Sequence, residues 1–368
     1  MPRHRSLTLR KFVEATDLEL MERYFKEKLP DCKLPLHIIM NIEAVEKFLE
    51  DPRNIEFKGL VHQDFQMIND ICGKGKSTLV WVYRKNDIPF DDRMTPQGLA
   101  MKLFLDHKED FDYCYAWFCY RHASGNMSHH KMPGDFQPTK AKLDIFLEEI
   151  KKWFGELAKG KEALVTSYDE EDSTVILIKH GSYVRTIAYW EEEEVKIRSF
   201  RPANEDILFY NKTTNILSIK ATLKKDCNQY LLLFARCIIG DESILTNEDR
   251  DKIYSLDPVQ NGTFNWNGNE KIKRIVLRRI NLKLPGSTEA SLIISSEDVR
   301  KTLEKDMSDI SLDSGKLEYA KFRFTLKLDG KYPKVTFTLK PPSVSDLSQK
   351  KHQEIINDFL KEQGVKLV

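Results

Sequence analysis

The sequence predicts an α+β protein: a helical N-terminal region, a central mixed β-sheet with a helix, and a β-rich C-terminal region closed by a terminal helix. Three observations predict it. Residues 173–240 hold short runs rich in β-branched and aromatic residues (174–179, 183–190, 195–199, 207–210 and 216–221) that feed an apolar helix at 229–239. Just before them, Leu143, Phe146, Leu147, Ile150, Phe154 and Leu157 recur at helical spacing. Near the end, Phe322, Phe324, Leu326 and Leu328 alternate with Lys321, Arg323, Thr325 and Lys327.

Phe12, Leu20, Tyr24 and Phe25 mark a first amphipathic segment that stops before Pro30. Helices follow at 41–50, stopped by Pro52, and at 61–72, broken by Gly73 and Gly75. The β-branched and aromatic stretch 77–84 reads as a strand. Thr95-Pro96, an N-cap followed by proline at the first helical position, opens a long helix through Leu103, Phe104 and the aromatic cluster 113–120. Residues 123–137, rich in Gly, Pro, His and Ser, read as a loop. Gly160 ends the 143–157 helix, and the switch from helical to alternating periodicity places a domain boundary there. The expected domains are 1–160, mainly helical; 161–268, a central α/β sheet; and 269–368, β-rich and basic.

Within the last of these, 272–284 is a strand whose alternation slips around 275–277, the mark of a bulge. Asp329-Gly330 turns a hairpin, Val335, Phe337 and Leu339 form its second apolar row, and Pro341-Pro342 stops it. A final amphipathic helix uses Leu347, Ile355, Ile356, Phe359 and Leu360. No internal repeat or low-complexity tract is present.

At 368 residues the chain exceeds one ordinary core, and its 41% hydrophobic content argues against disorder. Charges nearly cancel overall, yet 271–368 carries 20 basic and 13 acidic residues, against 38 and 44 in the remainder. That asymmetry suits a basic region meeting a polyanion. No apolar run approaches the ~20 residues of a membrane span, and MPRHRSLTLRKF has no apolar core behind it, so neither membrane insertion nor secretion is expected. Six scattered cysteines beside apolar residues fit reduced thiols, hence a cytoplasmic protein.

Several motifs imitate catalytic or metal sites. Gly75-Lys76-Ser77 resembles the end of a phosphate-binding loop, but Asp70 stands where the first glycine belongs, and the glycines precede a predicted strand rather than a helix. Cys119 and His122 share a helix face as zinc candidates, whereas Cys114 lies about 140° away from Cys119. Metal-dependent nucleases pair an Asp with an acid-x-Lys on the next strand. Here Asp206 and Lys220 occupy the outer positions, with Ser218 in place of the second acid; Glu194-Val195-Lys196 has the triplet, but only the remote Asp172 as partner. His180, before Gly181, is a further catalytic candidate without an orienting partner in the sequence. Mg²⁺ is expected only if the nuclease reading holds; otherwise no cofactor is expected.

The cationic hairpin is the most informative feature. Lys321, Arg323, Lys327, Lys334 and Lys340 are expected on one face, extended by Arg278, Arg279 and Lys283 if the bulged strand pairs alongside. Such a face can contact phosphates, although polar outer sheet faces are common. The preferred expectation is a non-catalytic nucleic-acid-binding subunit of a larger complex, a role that would suit prokaryotic defence or nucleic-acid processing. A nuclease centred on Asp206 and Lys220 and a protein-interaction scaffold are the alternatives.

Overall fold

A computed structural model describes all residues except 1–6, 40, 52, 74, 124, 135, 192, 287 and 289. The α+β class holds: the chain forms two compact units, 2–124 and 125–368. Among the described residues no helix is long and apolar enough to cross a membrane.

The first unit is helical: α1 (Leu9–Glu14), α2 (Leu18–Lys28), α3 (Ile42–Glu50), α4 (Ile55–Gly73), α5 (Lys76–Lys85), α6 (Pro96–Asp106) and α7 (Lys108–His122). Capping follows local chemistry, with Asp17, Asn41 and Thr95 accepting from the amides of Glu19, Ala44 and Gly98. Phe12, Tyr24 and Phe65 pack ring on ring in its core.

The strand expected at 77–84 is instead α5. Thr78, Leu79, Val82 and Tyr83 are its buried residues, a helical rather than an alternating pattern. The Tyr83 hydroxyl donates to the Leu99 carbonyl at 2.8 Å. Burial against neighbouring helices therefore overrides the β-branched propensity. Gly75 is sterically required before this helix, since a Cβ would lie 2.9 Å from backbone atoms of Ile71.

The second unit is a ten-stranded sheet. Its strands are β1 (Met127–Lys131), β2 (Ala163–Asp169), β3 (Ser173–Gly181), β6 (Ala203–Asn211), β7 (Ile216–Lys220), β8 (Ile272–Lys283), β9 (Ser291–Ser295), β10 (Lys316–Leu326), β11 (Lys334–Lys340) and β12 (Val344–Ser345). Their order is β2-β3-β6-β7-β1-β12-β11-β10-β8-β9. The sheet expected to be mixed is antiparallel in every pairing among the described residues. Short connections such as those between β2 and β3 or β6 and β7 permit only hairpins, whereas parallel pairs need long crossovers. A separate ribbon, β4 (Arg185–Glu191) with β5 (Glu194–Phe200), is inserted between β3 and β6. Strands from 161–268 and 269–368 thus share one sheet, joined by β1, which lies in the stretch expected to be loop.

Helix α8 (Lys140–Glu156) belongs to this unit. With α9 (Lys224–Leu233) and the π-helical turn Phe234–Ile239, it buries Phe146, Ile150, Phe154, Tyr230 and Phe234 against Ile176, Leu208 and Ile219. The second core gathers Ile275, Leu277, Phe322, Phe324 and Phe337 with Phe359 and Leu360 of α12 (Gln353–Glu362).

Register fixes which face each core uses. Directly paired residues project to the same side. Leu208 pairs with Ile219, Ile219 with Ser128, Ser128 with Val344, and Val344 with Lys340. The face covered by α8 and α9 in one half of the sheet therefore continues as the Lys340 face in the other, and the second core lies on the reverse side with Leu339.

The hairpin turn has positive φ at both Asp329 (43°) and Gly330 (75°), the mirror-image geometry that suits a two-residue connection. The slip expected around 275–277 in β8 falls one residue further on, as a bulge at Arg278, because Lys321 pairs with Arg279 and the next residue, Phe322, with Leu277. Phe322 is fully buried and stacked 5.6 Å from Phe337. Phe322→Ala is expected to lower stability by about 3–5 kcal/mol in urea unfolding.

Candidate nucleic-acid interface

The non-core face of β8, β10 and β11 collects the predicted cations. Along β10 it carries Tyr319, Lys321, Arg323 and Thr325; along β11, Lys334, Thr336, Thr338 and Lys340; along β8, Arg274, Arg279, Asn281 and Lys283. Lys321 sits between Arg279 and Thr338, and Thr325 between Arg274 and Lys334. Lys327, one residue beyond β10, is exposed. Hydrophobic alternation on the core side produces this arrangement, since every second side chain must point away from the phenylalanines.

The cations differ in how they are held. Arg278, in the bulge, clamps Glu297 through both Nη atoms, with Nη2 at 2.7 Å from Oε1. Arg323 Nη1 lies 3.9 Å from the same carboxylate. The hydrogen bond and charge of Arg278 hold Glu297 below the usual carboxylate range. Arg278 and Arg323 are thereby partly neutralised, so the open charge of the face rests on the others. Among the described residues, Arg274, Lys321, Lys327, Lys334 and Lys340 have no ion-pair partner. Asp346 is occupied by the Thr338 amide at 2.7 Å and by Lys350 at 2.7 Å.

Two aromatic rings share this face, and sequence reasoning missed both. The Arg279 guanidinium lies 5.9 Å from the Tyr319 ring, and Lys273 Nζ lies 3.9 Å from that of Tyr332. Both tyrosines were detectable by extending the alternation two residues back from Lys321 and Lys334. Partial burial raises the Tyr319 phenol above its ordinary value, so it stays neutral.

The nuclease candidates fall elsewhere and do not assemble. Asp206 is buried; its Oδ2 accepts from the Tyr230 hydroxyl at 2.9 Å and faces His180 Nε2 at 2.9 Å, while Oδ1 accepts from the Thr222 amide at 3.2 Å. Lys220 pairs in register with Ile207, so it leaves the opposite side of the sheet from Asp206, and its Nζ donates to the Asn126 carbonyl at 3.3 Å. Burial lowers the Lys220 pKa. Ser218, in the position of the second acid, bonds His129 Nδ1 at 2.8 Å. Glu194 lies in the β4–β5 ribbon and Asp172 beside Ser173.

His180 is no exposed imidazole. It stacks 4.1 Å from Phe154, its Nδ1 is 2.8 Å from the Gly181 carbonyl, and its Nε2 faces the buried Asp206 carboxylate. A second buried pair, Lys159 with Asp226 at 2.7 Å, lies on the other side of this cluster, with Lys159 Nζ 4.8 Å from the Phe154 ring. Nothing in the sequence marks that pair. The zinc candidates Cys119 and His122 lie in α7, with Cys119 buried and the His122 ring 5.0 Å from Phe118. Among the described residues no group of three or more His, Cys, Asp or Glu is placed to hold a metal.

His129 sits at the join between β7 and β12. Its Nδ1 accepts from Ser218 and its Nε2 donates to the Ser345 carbonyl at 3.3 Å, a neutral tautomer with both nitrogens satisfied. Burial, helped by His130 and Lys366, pushes its pKa down to about 3. The unfolded imidazole takes up a proton near its ordinary pKa of about 6.5. Stability from His129 is therefore complete above that value and lost as pH falls towards 3, at up to ~1.4 kcal/mol per pH unit. In urea unfolding between these limits, His129→Gln is expected to flatten the pH dependence. Asp206→Ala takes the shared acceptor away from the Tyr230 hydroxyl, the Thr222 amide and His180 Nε2 and is expected to cost about 3–5 kcal/mol in the same assay. Comparison with known protein families and with curated proteins finds no match.

Proposed function

We propose that this chain is a non-catalytic nucleic-acid-binding protein that lays its ligand along the outer face of β8, β10 and β11. The observation that carries the reading is the register. It lines up Arg274, Arg279, Lys321, Lys334 and Lys340 on adjacent strands, and two of the carboxylates near them, Glu297 and Asp346, are already engaged. A polyanion placed there meets several cations at once and releases counterions, whereas a single acidic side chain would meet one.

A protein partner is supported separately. The β4–β5 ribbon exposes Trp190 (75%), Ile197 (75%) and Val195 (57%), which its register puts on one side. Two-stranded ribbons are marginal alone in water, and clustered exposed apolar residues mark contact surfaces. This supports membership of a larger complex, with the nucleic acid on the sheet. Six cysteines, none of them joined in a disulfide, support a reducing, cytoplasmic setting.

The test is an anisotropy titration of the full chain with labelled DNA and RNA at several salt concentrations. Substituting Lys321, Lys334 and Lys340 together by Gln is expected to weaken binding and to reduce the slope of log K against log salt by about 2. Affinity and slope both unchanged would overturn the proposal.

A further inference from the structure

We infer that the nucleic acid taken by this face is single-stranded, with its phosphates along the lysine rows and bases stacked on Tyr319 and Tyr332. The inference rests on the proposed function and specifies its ligand.

Cations alone do not distinguish duplex from single strand. The aromatic rings do. In a duplex the bases are paired and stacked on one another, so base edges are reached in the grooves but no base face is open for a tyrosine ring to stack on. An unpaired strand exposes its bases, and protein sheets that bind such strands place aromatic rings among cations for this purpose.

The arrangement here has those parts. Tyr319 pairs with Asn281 on β8 and precedes Lys321 by two residues. Tyr332 precedes Lys334 by two residues and is 54% exposed. Because Lys334 pairs with Thr325, Tyr332 lies two residues beyond Thr325, so the rings are about eight strand residues apart, roughly 26 Å. That reach accommodates a site of about four nucleotides, the lower end for single-strand modules. Between the rings lie Lys321, Arg323 and Thr325, flanked by Arg279, Arg274, Thr336 and Thr338. A cation already lies against each ring, Arg279 on Tyr319 and Lys273 on Tyr332, so a base stacked there has a positive group beside it for its phosphate. An acidic peptide would engage the lysines but leave both rings without a matching partner.

The experiment titrates the full chain with labelled oligo(dT), oligo(U), the same-length duplex, an abasic strand of equal charge, and polyglutamate. Either single strand is expected to bind at least about tenfold more tightly than duplex or abasic strand. Tyr332→Ala, at an exposed site that folding tolerates, is expected to weaken single-strand binding by about fivefold or more while leaving the salt slope unchanged. Tyr319→Ala is expected to do the same, with Tyr319→Phe restoring it. Duplex or abasic strand bound as tightly as oligo(dT) and oligo(U), or tyrosine variants without effect where the lysine variant has one, would overturn the single-strand inference and leave the proposed function standing. Binding of polyglutamate alone, or of nothing, would overturn both.

Discussion

The second unit depends on a short splice in its sheet. Five-residue β1 and two-residue β12 are the strands that join the two halves, and the pairs Met127 with Ser345 and Ser128 with Val344 set their register. Since side chains alternate, a one-residue slip here would exchange the faces on one side of the join. The helices α8 and α9 would then meet the wrong row, and Lys340 would point into the phenylalanine core. The splice is reinforced accordingly. The His129 amide donates to the Ser343 carbonyl at 2.9 Å, and the Leu347 amide to Ser345 Oγ at 3.0 Å. Its imidazole bridges Ser218 and Ser345 across the join, so buried polar groups fix a register that apolar packing alone leaves less specified.

A consequence is that the two halves present opposite faces to their helices. One half buries the α8–α9 side; the other buries the α12 side and presents the reverse, where lysine, arginine, threonine and tyrosine gather. An outer sheet face is ordinarily polar. What sets this one apart is that two of its carboxylates are committed, Glu297 to Arg278 and Asp346 to Thr338 and Lys350, while Arg274, Lys321, Lys334 and Lys340 carry no ion pair among the described residues.

The motif-like stretches show how short patterns mislead. Asp206 and Lys220 are near in sequence terms for a nuclease pair, yet adjacent-strand register sends them to opposite faces, and the aspartate is used to hold His180 and Tyr230 in the core. Gly75-Lys76-Ser77 does lead into a helix, but the glycine is there because Ile71 leaves no room for a side chain. The stretch 77–84 has strand composition and forms a helix, since four buried residues at helical spacing matter more to it than β-branched propensity.

By itself the sequence determined the α+β class, the helical character of the first unit outside 77–84 (though not the break at His107 that divides the expected long helix into α6 and α7), the hairpin turn at Asp329-Gly330, and the alternation that separates Phe322, Phe324 and Phe337 from the lysines. These are local: caps, periodicity and turn chemistry act over a few residues. Only the tertiary structure decided that 161–268 and 269–368 build one sheet, that β1 arises from a stretch with loop composition, and that His180, Asp206, Lys159 and Asp226 are buried partners. It also decided which cations Glu297 neutralises and which rings stand among the rest. Those outcomes are set by pairing between residues tens to hundreds of positions apart, where backbone hydrogen bonds carry no record of side-chain identity and the register is chosen by how the whole sheet buries its apolar rows.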